Sequence, residues 1–300
     1  MPKLPPASHL LAFEAVARRR SFAGAAAELH LTSSAVSHQI ARLEADLGVR
    51  LFERSARQIR LSAAGTRYLE RVAGALEAIA AATEDLRQGT DSALRVHAAP
   101  SLASLWLLPR LPDFARAHPD IALSLSAAHT HSDFALGQAD LDIRYGVPEW
   151  PGLVVEPLLD EAILPLASPR FAEARAVTRP DDLAGLPLIQ STVSVVQWAD
   201  WFLAFAGVPA PDTFPLRFDR ALMSLDAASQ GLGVTLESAT IAARHLADGR
   251  LVALLDGAHA IPVQAHFAVY PARHAQRPAV AAFLAWLHDQ ATLARTGPAR

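Results

Sequence analysis

The stretch "LTSSAVSHQIARLEADLG", residues 31–48, decides the fold of the first part of the chain. Val36, Ile40, Leu43 and Leu47 fall at i, i+4, i+7 and i+11, which makes one apolar stripe at helical period. Something therefore holds this helix from behind. Thr32 is placed to cap its first turn and Gly48 to end it. Ser34, Ser37, His38 and Arg42 are left pointing away from the stripe. Hydroxyl-bearing residues favour caps and turns over helix interiors, so their crowding at the front of a good helix calls for something they face.

Upstream, residues 8–20 predict a first helix with Leu10, Leu11, Phe13, Val16 and Ala17 inward, closed by Arg18, Arg19 and Arg20, whose charge suits a helix C-terminus. Ser21 caps a second, alanine-rich helix, "FAGAAAELH", with Phe22, Ala26 and Leu29 inward; its small residues let another helix cross closely. His30 and Leu31 make the brief connection to the quoted helix. Two helices joined by a tight turn, behind a supporting one, form a helix-turn-helix pattern.

Downstream comes "VRLFERSARQIRLSAAG". Leu51–Arg54 and Gln58–Leu61 predict a small hairpin, with Ser55, Ala56 and Arg57 at its tip, the wing of a winged helix-turn-helix. A long helix then runs from Ser62 through Gln88 and closes at Gly89. On it Leu69, Val72, Leu76, Ile79, Thr83 and Leu86 step by 3, 4, 3, 4, 3, the narrow seam of a helix that pairs with another. A lone helix between two domains has little of its own chain to pack on, so the seam predicts dimerisation.

From residue 91 strands and helices alternate. "ALRVHAAP", "IALSLSAA", "LDIRYG", "AILPLAS", "LPLIQ", "GVTLE" and "AHFAVY" read as strands; "LLPRLPDFARAH", "VQWADWFLAFAG", "SLDAASQG" and "SATIAARHLADG" read as helices between them. This predicts an α/β domain with a substantially parallel sheet, whose ligand sits beyond the carboxyl ends of strands.

With 300 residues the chain has room for two domains, and half its residues are apolar. It has no cysteine, which excludes disulfides, thiolate metal sites and cysteine-based redox sensing. Residues 1–90 carry twelve basic groups against nine acidic ones, a balance of +3, while the remainder carries fifteen against twenty-one, a balance of −6. A mildly basic head fits phosphate contact, and the acidic body does not. The opening "MPKLPPASHLLAFEAVARRRS" has too short an apolar run for a secretory signal, and no stretch approaches a membrane span, so a soluble, cytoplasmic protein without membrane association is expected.

The N-terminal third, "SFAGAAAELHLTSSAVSHQIARLEADLGVRLFERSARQIRLSAAG", resembles the LysR-type transcriptional regulators almost without gaps. "WLLPRLPDFARAHPDIALSLS", "DLDIRYGVPEWPGLVVEPLLDEAILPLASP" and "AASQGLGVTLESATIAARHLADGRLV" extend the likeness toward the branch containing the glycine-cleavage activator and the β-lactamase regulator. The resemblance implies an all-α winged helix-turn-helix head over residues 1–62 and a linker and dimerisation helix over 63–89. It further implies an α/β effector-binding domain over 90–300, similar to type 2 periplasmic binding proteins. That domain would have two subdomains, one of about 90–162 with 267–300 and one of about 163–266, and a cleft between them. It implies promoter DNA, a small-molecule effector and further copies of the chain, as homodimer or homotetramer, as partners, admits RNA polymerase, and requires no cofactor and no resident metal.

By position the resemblance places Ser33, Ser34, Ser37, His38 and Arg42 toward the major groove, where short polar side chains let the backbone approach base edges. Many members carry glutamine where Ser33 stands, which implies a different operator here. Arg54 and Arg57 on the wing are assigned to DNA backbone or minor-groove contact. The seam residues Leu69, Val72, Leu76, Ile79 and Leu86 are assigned to dimerisation. In the effector domain Ser101 follows a strand and begins a helix, a place suited to a carboxylate-bearing ligand. Thr130, Ser191 and Thr192 occupy similar strand ends, and His266 with Phe267 lie in the strand that returns to the first subdomain. Trp198, Phe202 and Phe205 read as core.

The competing reading is "HTHSD": His129, His131 and Asp133 alternate and in an extended segment share one side, as ligands for zinc or nickel in a metal-responsive regulator would. A solute-binding or enzymatic protein is a weaker alternative. There is no G-x-S-x-G elbow and no P-loop, and "GLGVTL" has Leu236 where a dinucleotide fingerprint needs its third glycine. Asp140 with Asp142 read as polar flanks of a strand, and Asp181 with Asp182 as a helix start.

Overall fold

The computed structural model describes residues 4–53, 59–87 and 93–296. The chain divides into two compact units near residue 90.

In the first unit, α1 (Ala7–Arg19), α2 (Phe22–Glu28) and α3 (Ser33–Leu47) pack on one another. Their core is Ala12, Phe13, Ala15, Val16, Ala25, Ala26, Val36, Ile40 and Leu43, joined by Leu51 and Phe52. The caps are local and side-chain made: the Ser21 hydroxyl accepts the Gly24 N–H at 3.0 Å, and the Thr32 hydroxyl accepts the Ala35 N–H at 3.2 Å. Gly48 closes α3 at φ +67°, a left-handed conformation that glycine adopts without a side-chain clash. One inward assignment on α1 fails: Leu11 is exposed, and the small Ala12 and Ala15 take the helix interface instead, which lets the helices approach closely. Arg18 and Arg19 do more than face a helix end. Arg18 pairs with Glu14 and Glu28, and Arg19 with Glu28, so the carboxylate of α2 ties its helix to α1.

Strands β1 (Phe52–Glu53) and β2 (Arg60–Leu61) pair antiparallel, with Phe52 opposite Leu61 and Glu53 opposite Arg60. The tip between them lies outside the described residues. Helix α4 (Ala63–Arg87) follows at once. The Ser62 hydroxyl donates to the Arg50 carbonyl at 2.7 Å and accepts the Gly65 N–H at 2.9 Å, fixing where the helix leaves the hairpin.

The second unit holds two sheets. The first lobe is ordered β4 (Ala122–Ala127), β3 (Ala93–Ala98), β5 (Leu141–Tyr145), β13 (His266–Tyr270), β6 (Val154–Pro157). The second lobe is ordered β11 (Val252–Ala253), β7 (Glu161–Ala167), β10 (Val234–Ser238), β8 (Leu188–Ser191), β9 (Leu216–Phe218), with β12 (Ile261–Val263) also on β7. The sheets are mixed, which corrects the expectation of a substantially parallel one. β3, β4 and β5 run parallel, as do β8, β9 and β10, but β13 is antiparallel to both its neighbours and β7 to all three of its own.

The reversal has a topological cause. The chain leaves the first lobe after β6 and enters the second at β7, then leaves the second after β12 and returns at β13; each crossing delivers a strand against the local direction. Helix Pro278–Thr296 closes the first lobe, where Phe283 and Trp286 meet Phe114 at ring distances of 5.0 and 5.3 Å. In the second lobe Trp198, Trp201 and Phe202 form a fully buried aromatic cluster and Phe205 packs on its edge, as core residues. Asp140 and Asp142 are buried rather than flanking. Asp142 accepts from Arg144 and the Ser132 hydroxyl, and Asp140 from the Arg95 N–H and Arg277.

Candidate functional site

Two surfaces of different chemistry emerge, one on each unit. On the head, α3 buries Val36, Ile40 and Leu43 and leaves Ser33, Ser34, Ser37, His38 and Arg42 exposed on the opposite side. The Thr32 and Ser34 hydroxyls lie 3.0 Å apart, so capping engages Thr32 and touches Ser34, while Ser37 and His38 sit one turn on, past the cap. Arg54 and Arg57 lie outside the described residues.

A residue the sequence reading passed over supports this surface. Glu44, on α3, accepts the backbone N–H groups of Leu51 and Phe52 at 2.7 and 3.2 Å, which fixes the first wing strand to the end of the helix. On α4, Leu69 is half-buried and packs in part against the head's own core. Val72 and Leu76 are half-buried and Ile79 is 64% exposed; the side chain of Leu86 lies outside those described.

In the second unit a cavity of about 60 Å³, open to solvent, lies between the lobes. Ser101, Ser191 and His266 line it. Ser101 follows β3 in the short helix Pro100–Leu102, which widens into a π-helical turn over Ala103–Leu107. Thr130 and Thr192 do not line it. Both are exposed, the Thr130 carbonyl accepts from His97 Nε2, and Thr192 donates twice to the Phe218 carbonyl. Phe267 turns the other way, into a satellite core with Phe134 and Val269, because neighbouring strand residues face opposite sides and His266 takes the cavity side.

Four contacts cross from lobe to lobe around this cavity. The Leu222 N–H, at the start of helix Ala221–Ser229, donates to the Ser101 hydroxyl at 3.2 Å. The Tyr145 hydroxyl accepts the Val195 N–H at 3.0 Å. His129 Nε2 donates to the Asp219 carbonyl at 2.9 Å, and His266 Nδ1 stands 2.6 Å from Glu161 Oε2. The Tyr145 ring lies against His266 at 4.8 Å, and burial raises the Tyr145 phenol above its ordinary range. Glu237, buried on β10, is pushed up to about 8, first by desolvation and also by the neighbouring Glu161 carboxylate. Tyr145, Glu161 and Glu237 escaped the sequence reading because nothing local marks them; their significance comes from strands far apart in sequence.

The metal reading fails on geometry. His129 points to Asp219, His131 is edge-on to Trp150 at 5.5 Å, and burial lowers both imidazoles from their ordinary value, with Arg220 and Arg144 respectively adding to the effect. No group of three or more His, Cys, Asp or Glu side chains suited to a metal ion occurs among the described residues. Nor is any helix among them long and apolar enough to cross a membrane.

A winged helix-turn-helix with a polar, exposed second helix, followed by a two-lobed α/β unit with a side-chain-lined cleft, defines a DNA-binding regulator governed by a small molecule. Residues 7–66 match the bacterial regulatory helix-turn-helix protein, lysR family, and residues 87–292 match the LysR substrate binding domain. The chain belongs to the LysR family of DNA-binding transcriptional regulators. It is 40% identical over 291 residues to the HTH-type transcriptional regulator PerR of Escherichia coli K12, covering 97% of each chain. It is 34% identical over 289 residues to the glycine cleavage system transcriptional activator of the same strain, covering 95% of this chain and 93% of that one. The effector domain of the regulator AmpR of Pseudomonas aeruginosa matches its structure at 33% identity and a TM-score of 0.59, over 68% of this chain and 98% of that one. These relatives are named as transcriptional regulators, and the chain is one.

Proposed function

We propose that α3 enters the major groove of promoter DNA with Ser33, Ser34, Ser37, His38 and Arg42 toward base edges and phosphates, while Arg54 and Arg57 on the wing contact the backbone. The supporting observation is the division of α3 into a buried apolar side and an exposed hydroxyl-rich side, with Ser37 and His38 free of capping duty. Residues 1–62 serve as the reading head, 63–89 as the linker and 90–300 as the sensor. Val72, Leu76 and Ile79, with Leu86, pair the linker helix with that of a second copy, so that a homodimer or homotetramer presents two heads to a partly two-fold site.

The effector occupies the cleft, with Ser101 and Ser191 holding a carboxylate or similar anionic group. A ligand that favours one lobe geometry over another shifts the assembly by its differential affinity, with couplings of about 1–3 kcal/mol. Bending the operator costs energy of similar order, so a modest shift in geometry changes which DNA is held and how. RNA polymerase is the further partner that such a rearrangement would engage, and the site of action is wherever the chromosome lies.

Selection from a random duplex pool with the full-length protein tests the reading surface. A partly symmetric sequence is expected to enrich, and Ser37→Ala with His38→Ala to lose about 1–3 kcal/mol of specific binding per base contact. No enrichment by a folded, oligomeric protein would refute it. Ser101→Trp is expected to leave DNA binding intact and abolish the effector response.

A further inference from the structure

The cleft holds more acid than the capture of an anion requires. Glu237 is only 5% exposed, lines the cavity, and its Oε1 is buried with no hydrogen-bond partner, while the Ser224 hydroxyl serves the carboxyl group from helix Ala221–Ser229. Buried polar atoms without partners are rare in folded proteins and mark places where a bound group completes the set. The atom lacking a partner here is a carboxyl oxygen, and the group that best completes it is an N–H donor, above all a charged one.

The neighbouring charged groups have partners of their own, although Glu161 gives only Oε2 to His266. Glu161 faces the cavity with His266 at 2.6 Å, and Arg220 is held by Asp219 at 2.8 Å. His129 donates to the Asp219 carbonyl, and the Tyr145 hydroxyl accepts the Val195 N–H. Glu237 is thus the one lining group in the cavity whose buried oxygen goes unmet among the described residues. Across the cavity the chemistry changes sign. Ser101 accepts the Leu222 N–H at the start of helix Ala221–Ser229, which leaves its own hydroxyl proton to donate to an anion beside the positive end of the helix dipole.

We propose that the cavity takes a small zwitterion, an amino acid or short peptide, with its protonated amine on Glu237 and Glu161 and its carboxylate at Ser101. This rests on the reading of the cleft as the effector site. Because Glu237 is held protonated near neutrality, the incoming ammonium expels its proton: the neutral carboxyl and R–NH3+ become a carboxylate–ammonium pair, and one H+ passes to solvent.

The test uses the full-length protein and a panel of L- and D-amino acids, alanyl dipeptides and the N-acetyl derivative of each, read by thermal shift and then by calorimetry in two buffers of different ionisation enthalpy. At least one free amine is expected to bind with release of a proton, and its N-acetyl derivative to bind about tenfold more weakly or worse. Glu237→Gln copies the neutral carboxyl in shape and charge, so it is expected to fold, to lose the proton release, and to weaken the free amine about tenfold or more. Should that variant fail to fold, Glu161→Gln and the proton count of the unaltered protein decide. N-acetyl derivatives binding as well as free amines, or no member of the panel binding, would overturn the proposal. If N-acetyl binding disappears in Ser101→Trp, the cleft reading survives and only the amine assignment falls. Amine binding that persists in Ser101→Trp would remove both.

Discussion

The Glu44 carboxylate on α3 accepts the Leu51 N–H at 2.7 Å, with the Phe52 N–H sharing the same oxygen at 3.2 Å. One side chain thus sets the register between α3 and the first wing strand. Glu44→Ala removes a charged acceptor and strands two amides, at a cost of about 1–3 kcal/mol in stability. DNA affinity is expected to fall further than stability, because wing and helix no longer reach the duplex at a fixed spacing. Chemical denaturation beside operator titration checks both; equal losses in the two would mean that Glu44 is structural only.

Gly65 is required by a close approach rather than by its dihedral angles. A Cβ there would sit 2.1 Å from the Leu51 carbonyl oxygen, a backbone atom that cannot swing away. Gly65→Ala is therefore expected to displace α4 from the hairpin and destabilise the head by about 1–3 kcal/mol. Gly137→Ala, where an added Cβ meets nothing but the backbone sits at φ +65°, is expected to cost only about 1 kcal/mol. Paired melting curves would show the difference in size.

Ile79 is 64% exposed on a helix that lies just past the head. Ile79→Glu is expected to leave the secondary structure and Tm of the isolated protomer unchanged and to shift the oligomer toward smaller species in sedimentation velocity. An unaltered sedimentation profile would place the dimer contact elsewhere.

Stability should fall with rising pH because of Glu237. Its carboxyl titrates near 8 in the folded protein against an ordinary 4.5, so between those values the folded state binds more protons than the unfolded one. The contribution is fully present below about pH 4.5 and is lost as pH rises through 8, by an amount on the order of a few kcal/mol. Glu237→Gln, which never ionises, should flatten that slope and be the more stable protein at pH 8. A denaturation series from pH 5 to 8.5 on both proteins is the measurement, and parallel slopes would contradict it.

The head was legible because its determinants are local. The α3 stripe, the Thr32 and Ser21 caps and the Gly48 stop each lie within a few residues of what they fix. Leu11 misled because a helical stripe is wider than the interface it serves, and alanines won the close crossing. In the second unit, the strands 161–167 and 266–270 are apolar runs past their first residues, Glu161 and His266, and read alike whichever way they point, so their antiparallel placement was invisible. The short strands 216–218, 252–253 and 261–263 carry too few residues to show any period. Ser101 was legible as a helix start after a strand, and it lies in the helix Pro100–Leu102 that follows strand 93–98. Glu237 and Tyr145 were not, since a titratable residue inside a strand gains its meaning only from partners such as Ser224 and Val195.

The tight crossing of Gly65 over Leu51, braced by the Ser62 hydroxyl on both sides, makes the start of α4 and the base of the hairpin one stiff piece. A crank of this kind has no slack: whatever torque reaches the shaft swings the wing through the same angle. A head held this stiffly on its helix cannot adjust its own reach, so operators are expected to be discriminated by half-site spacing as well as by base identity.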